Sequence, residues 1–239
     1  MPEYEGSILC GSHAVGTANT ASDIDIHILL SDSIGWRERG NKMVDGYLIE
    51  YFANPLRQFE DQLKRDLGRG KRTLARMLAT GRIVHDERGE AEKLKRWAKG
   101  QMSHALPKLD GGSMETAKYA LWDSIDGLSG EEPSSPAFSY LYPQVVDEAL
   151  RKYALFHGLE APAASKAYRF FAEASFPEKY GMEKFPDPLF GKLFVQCLEA
   201  DKEGQITAAR NLADFVENSV GGFNIDGWKV QTPAIEIRS

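Results

Sequence analysis

Three acidic residues in the first quarter of the chain have the types and spacing that metal-dependent phosphoryl chemistry requires. Asp23 and Asp25 lie two residues apart in the run S-D-I-D-I-H-I-L-L, and Glu50 follows in the run Y-L-I-E-Y-F. Side chains at i and i+2 of a strand share a face, so both aspartates should project together while Ile24 and Ile26 face the core. Adjacent carboxylates repel, and hard cations such as Mg²⁺ remove that repulsion. The pattern predicts that the three acids hold two Mg²⁺ ions, which favour in-line displacement at phosphorus.

A Gly-Ser pair upstream of the aspartates is suited to hold phosphate. Gly11 lets the backbone approach an anion closely, and the Ser12 hydroxyl with successive N–H groups can cradle phosphate oxygens. Gly16 and the small residues after it are expected to keep this loop open. Ser22, directly before Asp23, either caps the turn or contacts phosphate, and the sequence does not decide between the two.

The elements that position these residues are predicted from hydrophobic patterning. Strands are expected over residues 7–11, 23–30 and 45–52, the last one opening at an Asp-Gly turn. A helix is expected with Asn54 as its N-cap and Pro55 at its first position. A second helix near 71–81 and a short strand over 82–89 follow.

From about residue 89 the pattern becomes helical. Helices are predicted over 89–106, 113–128, 136–157, 165–175, 187–201 and 204–219, separated by Gly/Pro/Ser-rich breaks. The tail over 221–239 is apolar enough to pack back on the body. The sequence therefore predicts an α+β protein, with a small domain of strands and helices over 1–88 followed by an all-helical domain over 89–239.

Composition limits the partners. The chain has 239 residues, 42% of them hydrophobic, and a net charge of −6, which disfavours nucleic acid as a partner. The two cysteines are too few for a disulfide framework, and we expect a cytoplasmic protein without a targeting signal. No apolar run approaches the roughly 18 residues that a membrane helix needs, so no membrane contact is expected.

The stretch GSHAVGTANTASDIDIHILL resembles the signature of the DNA polymerase beta-like nucleotidyltransferases, particularly the branch of minimal and aminoglycoside nucleotidyltransferases. The resemblance covers roughly residues 8–52. It implies a mixed sheet with Asp23, Asp25 and Glu50 as metal ligands and with Gly11 and Ser12 on the triphosphate. It also implies transfer of a nucleoside monophosphate from a nucleoside triphosphate, ATP being the first candidate, with release of pyrophosphate. In that family a helical domain generally supplies the acceptor pocket, and a helix usually precedes the first strand, whereas only about six residues do so here.

The general base should come from the helical region if the family analogy holds. Asp126 is the chosen candidate, with Asp123 one turn earlier and Glu148 as alternatives, although each acid alone is more typical of an exposed helix surface. His27 is more typical of a hydrogen-bonded structural histidine than of a site residue. Helical spacing favours core packing for four aromatic residues, which could alternatively stack on a base or sugar: Trp122, Tyr140, Tyr142 and Tyr153. The basic run 64–72 is more typical of a solvated surface than of a phosphate site.

The leading hypothesis is a nucleotidyltransferase that modifies a hydroxyl of a small acceptor. An aminoglycoside-like acceptor would imply a role in antibiotic resistance, and surplus acids in the helical domain would favour a cationic molecule bound between residues 1–88 and that domain. The alternatives are transfer to a protein or RNA acceptor and a catalytically inactive nucleotide-binding pseudoenzyme. Crowded carboxylates and the Gly-Ser pair argue against the inactive form, because a dead site has no electrostatic reason to keep them.

Overall fold

The computed structural model describes residues 4–231. The chain forms two compact units, of which the first runs to Leu106 and also includes Ser175–Lys184. The second comprises Pro107–Ala174 and the chain from Phe185 onward. A five-stranded mixed sheet with helices confirms the predicted α+β class.

The sheet and its helices form the first unit. Its strands are β1 (Tyr4–Cys10), β2 (Ile24–Leu30), β3 (Glu38–Val44), β4 (Tyr47–Pro55) and β5 (Arg82–His85), and its helices are α1 (Gly11–Val15), α2 (Leu56–Gly68), α3 (Thr73–Thr80), α4 (Glu90–Gln101) and α8 (Phe176–Tyr180). The strand order is β3-β4-β2-β1-β5, with β2 and β4 parallel and the other pairs antiparallel. The unit includes α4, which packs on β1, so the first unit extends beyond the predicted boundary at residue 88.

Strand β3 is absent from the sequence prediction, which treats Asp45-Gly46 only as the start of a strand. The structure makes these two residues the loop of a hairpin, since Val44 pairs with Tyr47. Asp45 and Gly46 have φ of 50° and 84°, as a two-residue type I′ turn requires. The hairpin therefore places a further strand beside the one that carries Glu50.

The helix-covered face of the sheet is opposite to the predicted one. The buried core of this unit includes Ile8 and Cys10 of β1 and Leu29 of β2, packed against residues of α2, α3 and α4. Cys10 pairs with Asp25, so Asp25 lies on this face. Ile24 and Ile26 alternate to the other face and are only partly buried, which corrects the expectation that they face the core.

The start of α2 also differs from the prediction. Strand β4 continues to Pro55 because Asn54 and Pro55 pair with Leu29 and Leu30 of β2. The helix consequently begins at Leu56, and Pro55 rather than Asn54 occupies the N-cap position. Sheet pairing has overridden the local capping signal.

Within the residues that the structure describes, the second unit contains five helices: α5 (Gly111–Ser129), α6 (Pro136–His157), α7 (Ala164–Ala172), α9 (Pro188–Glu199) and α10 (Gln205–Asn218). Asp110, Ser135 and Asp187 cap α5, α6 and α9 by accepting hydrogen bonds from backbone N–H groups. An aromatic cluster fills the interior, where Tyr153 stacks on Phe190 at 4.1 Å. Trp228 of the tail stacks on Tyr119 at 4.3 Å, and the tail beyond residue 231 lies outside the described residues.

Candidate active site

The three predicted acids converge at one end of the helix-covered face. Asp23 directly precedes β2, and Asp25 pairs with Glu50 across the parallel β2–β4 ladder. Each of the three offers a carboxylate oxygen, and these oxygens lie within 4.8 Å of one another. All three residues are partly buried. The predicted convergence is confirmed, whereas the role of the three acids as metal ligands stays a prediction.

The cluster concentrates negative charge that its cationic neighbours offset only in part. The pKa of Asp25 is raised from 3.8 to about 6, first by burial and then by the nearby charges of Asp23 and Glu50, while His13 and Arg39 act in the opposite direction. A shift in this direction means that the surroundings penalise the ionised carboxylate, and a bound cation would remove that penalty. Carboxylate oxygens at this spacing are the ligands that Mg²⁺ prefers, so the residues present fit a divalent metal.

Arg39 is a charged neighbour of the cluster that the sequence analysis missed. Its Nε donates to Oε1 of Glu50 at 3.1 Å, and its Nη2 donates to the same oxygen. The guanidinium also lies over the Phe52 ring, with Cζ 4.9 Å from the ring centroid. The only sequence signal for it was the Asp-Gly hairpin turn, which places the residues before Asp45 on the strand beside Glu50.

Gly11 lies against the carboxylate of Asp25. Its φ is 65°, and a Cβ added to it would lie 2.0 Å from Oδ2 of Asp25. Any side chain would therefore displace Asp25 in addition to straining the backbone. The structure explains the glycine by this close approach. It also shows that residues 11–15 form a short helix rather than the open loop expected after β1.

Ser12 and Ser22 differ in what their side chains do. Ser12 is buried, and within residues 4–231 its hydroxyl has no hydrogen-bond partner. The Ser22 hydroxyl accepts from the backbone N–H of Asn19 at 2.9 Å and lies 3.3 Å from its Oδ1. The Ser22 carbonyl lies 3.3 Å from Nε2 of His13. Ser22 therefore stabilises the turn before Asp23, as one of the two sequence interpretations predicts.

The candidate bases all lie in the second unit. Asp123 and Asp126 are exposed on α5. Glu148 on α6 accepts a hydrogen bond from Ser124 at 2.6 Å and lies 3.7 Å from Nζ of Lys152. The assignment of Asp126 as the base stays a prediction.

Other residues that the sequence singled out fall into two groups, one buried with structural contacts and one exposed to solvent. Tyr142 is buried, with its hydroxyl donating to the Cys197 carbonyl at 2.5 Å, and Tyr153 lies in the aromatic cluster, whereas Tyr140 is 70% exposed. In the basic run 64–72, Arg72 is buried and donates to the His104 carbonyl at 2.6 Å. Lys64, Arg65, Arg69 and Lys71 are exposed.

His27 is buried, but not in the hydrogen-bonded form that the sequence favoured. Its ring stacks on Phe52 at 5.0 Å and meets Phe59 edge-on at 5.8 Å. Within the described part of the chain, neither ring nitrogen has a hydrogen-bond partner. Burial lowers the pKa of this imidazole from 6.5 to about 4.

As for membranes, the helices described within residues 4–231 include none with the length and apolar character needed to cross a bilayer.

Comparisons with known proteins found a solved structure of low similarity and no sequence match. No protein-family model and no curated protein sequence matches the chain. Among solved structures, the chain is similar to a nucleotidyltransferase-like protein from Exiguobacterium sibiricum 255-15, with 14% sequence identity and a TM-score of 0.40. The similarity covers 91% of this chain and 70% of that chain. The function proposed below therefore depends on the carboxylate cluster and not on this similarity.

Proposed function

We propose that the chain is a magnesium-dependent nucleotidyltransferase that transfers a nucleoside monophosphate from a nucleoside triphosphate, ATP being the first candidate, to a hydroxyl of a small acceptor. The observation that carries the proposal is the convergence of Asp23, Asp25 and Glu50, with their oxygens within 4.8 Å. Three half-buried carboxylates at this distance are costly unless a cation joins them, and two Mg²⁺ ions with phosphate oxygens satisfy the set.

The chain's own residues have defined tasks in this mechanism. Asp23, Asp25 and Glu50 hold the ions, and Gly11 lets the backbone lie against Asp25 so that a triphosphate reaches the cluster. The unpartnered hydroxyl of Ser12 is available to a phosphate oxygen. Bound Mg²⁺ supplies charge neutralisation on the phosphates and on the attacking and leaving oxygens. The acceptor oxygen attacks the α-phosphorus, and pyrophosphate leaves with the electron pair of the broken bond.

A carboxylate must accept the proton of the acceptor hydroxyl, and Asp126 is proposed for this task on the family analogy alone. The proposal that the acceptor is aminoglycoside-like also rests only on the resemblance of residues 8–52 to the nucleotidyltransferase signature. A role in antibiotic resistance depends on that acceptor.

Pyrophosphate release is the direct test. The protein is incubated with each of the four nucleoside triphosphates, Mg²⁺ and a panel of hydroxylated acceptors, and the same mixtures with EDTA serve as blanks. We expect metal-dependent pyrophosphate release that is lost in Asp25→Asn and kept in Asp61→Asn, which removes an exposed acid of α2. Equal release by both variants would contradict the proposal.

A non-catalytic nucleotide-binding protein is the second candidate. Arg39 favours it, because its guanidinium is bound to Glu50, where a metal ion would have to compete with it. Binding of nucleotide without any pyrophosphate release, with Mg²⁺ at millimolar concentration, would favour this candidate over the transferase.

A further inference from the structure

A cavity of about 420 Å³ lies within the first unit, beside the carboxylate cluster. Strands β2, β3 and β4 and helices α2 and α3 line it. Pairing across the sheet places Asp25 opposite Glu50, and the next row along the same face holds His27, Phe52 and Arg39. These three residues line the cavity. The cavity therefore adjoins the cluster on the same face of the sheet.

The position of the cavity relative to the cluster is set by strand order. Gly11 follows β1, which neighbours β2 on one side, whereas β4 and β3 lie on the other side. Arg39 on β3 both contacts Glu50 and lines the cavity. The cluster thus lies between the Gly11-Ser12 segment, which we assign to the triphosphate, and the cavity.

Three side chains that line the cavity have polar atoms that form no hydrogen bond within residues 4–231. Asn54 on β4 and Gln58 on α2 are half-buried lining residues, and no neighbour within residues 4–231 hydrogen-bonds to either amide. His27 is a third lining residue with unpartnered polar atoms, and it is only 5% exposed. The buried ring nitrogens of His27 are costly to leave without partners, and the two half-buried amides beside it are available to hydrogen-bond to a ligand in the cavity.

The charged residues that line the cavity are two arginines and two acids, and three of the four form hydrogen bonds with neighbouring side chains. Arg39 donates to Glu50, Glu38 accepts from the Tyr51 hydroxyl at 2.6 Å, and Asp66 accepts from Gln62 at 2.9 Å. Arg37 is the remaining charged lining residue and is a cation. Glu38 and Asp66 keep their charge beside these neutral donors, but Arg37 and Arg39 balance it, so the lining has no net negative charge of the kind that would favour a polycationic acceptor.

We propose that this cavity is the acceptor subsite of the transferase and that it takes an uncharged, hydroxyl-rich ring of the sugar class. Amides donate and accept hydrogen bonds, as sugar hydroxyls do, and Leu74 and Met77 offer apolar contact to the carbon-bound faces of a ring. The inference rests on the proposed function. It differs from the expectation that the helical region supplies the acceptor pocket, because every lining residue belongs to the first unit.

The transfer step follows from this placement. A sugar hydroxyl presented to the cluster from the cavity forms a new oxygen–phosphorus bond at the α-phosphate. The bond between that phosphorus and the bridging oxygen breaks, and pyrophosphate carries away its electron pair. The hydroxyl proton passes to a carboxylate and then to water, so the products are a nucleotidylated sugar, pyrophosphate and a proton.

Binding is tested with three sugars of matched shape and different charge. Saturation-transfer NMR on the full chain, with Mg²⁺ and a non-hydrolysable ATP analogue, compares methyl glucoside, glucosamine and glucuronate. We expect methyl glucoside to bind most tightly and Asn54→Ala and Gln58→Ala each to weaken it by roughly three- to tenfold, the effect of one lost hydrogen bond. Gln101→Ala, which removes a half-buried amide outside the cavity, should leave binding unchanged, and thermal unfolding verifies that all three variants fold.

Turnover separates this inference from the proposed function. With methyl glucoside as acceptor, Gln58→Ala should raise the KM for the sugar and leave the KM for ATP unchanged. Gln101→Ala should change neither KM and should preserve the metal-dependent hydrolysis of ATP that releases pyrophosphate without a sugar. Pyrophosphate release without sugar binding would leave the transferase in place and overturn the acceptor proposal. Tighter binding of glucosamine, or equal sugar affinity in Gln58→Ala and Gln101→Ala, would also overturn it. Sugar binding without any pyrophosphate release would overturn both.

Discussion

The two units treat their acidic side chains differently. In the first, Asp23, Asp25 and Glu50 are half-buried with their oxygens within 4.8 Å, and Arg39 donates to one of them. In the second, Asp123 and Asp126 are exposed to solvent. The difference indicates that the first unit holds its three acids against their mutual repulsion, where metal chemistry is proposed, while Asp123 and Asp126 are solvated.

Among the described residues of the second unit, Glu217 on α10 is the one buried acid. Its side chain is buried, and among residues 4–231 its Oε1 finds no hydrogen-bond partner. The pKa of Glu217 is raised from 4.5 to about 7, first by burial and then by the charge of Asp214, while Lys118 acts in the opposite direction. Lys118 itself is buried and donates to Glu115 at 2.8 Å. The contrast between the units can therefore be tested at Asp25, Gly11, Glu217 and Arg39.

The largest effect is expected from Asp25→Asn. Loss of this carboxylate should reduce pyrophosphate release by at least about 100-fold, because it removes a ligand at the centre of the cluster. In metal-free protein at pH 7.5 the same change should raise the free energy of unfolding by about 1 kcal/mol, since it relieves burial and repulsion of the charge. Urea titration monitored by tryptophan fluorescence measures the second effect.

Asp61→Asn is the matched control for both measurements, because Asp61 is an exposed acid of the same unit. A destabilised Asp25→Asn protein with EDTA present would show that the carboxylate is a structural partner rather than a metal ligand.

Gly11→Ala should cost about 2–4 kcal/mol of stability and most of the activity. The alanine must adopt a φ of 65° and its Cβ would lie 2.0 Å from Asp25. Gly16→Ala separates these two causes, since Gly16 has a φ of 72° and open space where a Cβ would lie. We expect about 1 kcal/mol for Gly16→Ala in thermal unfolding. Equal losses for the two variants would mean that contact with Asp25 is unimportant.

Glu217→Gln should stabilise the protein in a pH-dependent way. The folded pKa of about 7 exceeds the unfolded value of 4.5, so wild-type stability falls as pH rises through this interval and stays low above it. The variant should therefore be more stable by about 2 kcal/mol at pH 8 and no more stable at pH 4. Urea titrations at both pH values measure the difference.

Asp214→Asn, an exposed change one turn earlier on α10, should give a smaller gain. A Glu217→Gln gain that is the same at pH 4 and pH 8 would exclude ionisation as its cause.

Arg39→Gln should have the smallest effect, on metal affinity. Without the guanidinium on Glu50, Mg²⁺ should bind up to about fivefold more tightly in calorimetric titration, because an exposed ion pair contributes at most about 1 kcal/mol. Arg37→Gln removes an exposed arginine two residues earlier on the chain and should change the affinity less. Weaker binding in Arg39→Gln would mean that Arg39 orients Glu50 for the metal instead of competing with it.

The sequence predicted the acids of the site better than their surroundings. The spacing of Asp23 and Asp25, and a strand around Glu50, were enough to place three carboxylates together. Strand β3 was missed because its sequence, ERGNKMV, is polar and lacks alternation, as is common for an edge strand. Arg39 was missed with it.

Long-range pairing explains the other differences. Ile24 and Ile26 look like core residues locally, yet the face that α2, α3 and α4 cover is the one that carries Asp25. Asn54 looks like an N-cap, but it pairs within the sheet. The cavity beside the cluster could not be predicted, because it forms where helices pack against strands and local sequence patterns do not encode that packing.

Strand β3 also bears on how the chain avoids self-association. It ends the sheet, so one side of its backbone is open to pairing with a strand of another molecule. Glu38, Arg39 and Lys42 make such pairing unfavourable, because docking a second strand would strip water from their charges. The guanidinium that contacts Glu50 is thus also part of the protection against fibril-like stacking, and exchange of Arg39 for an apolar β-branched residue would remove that contact and weaken the protection at once.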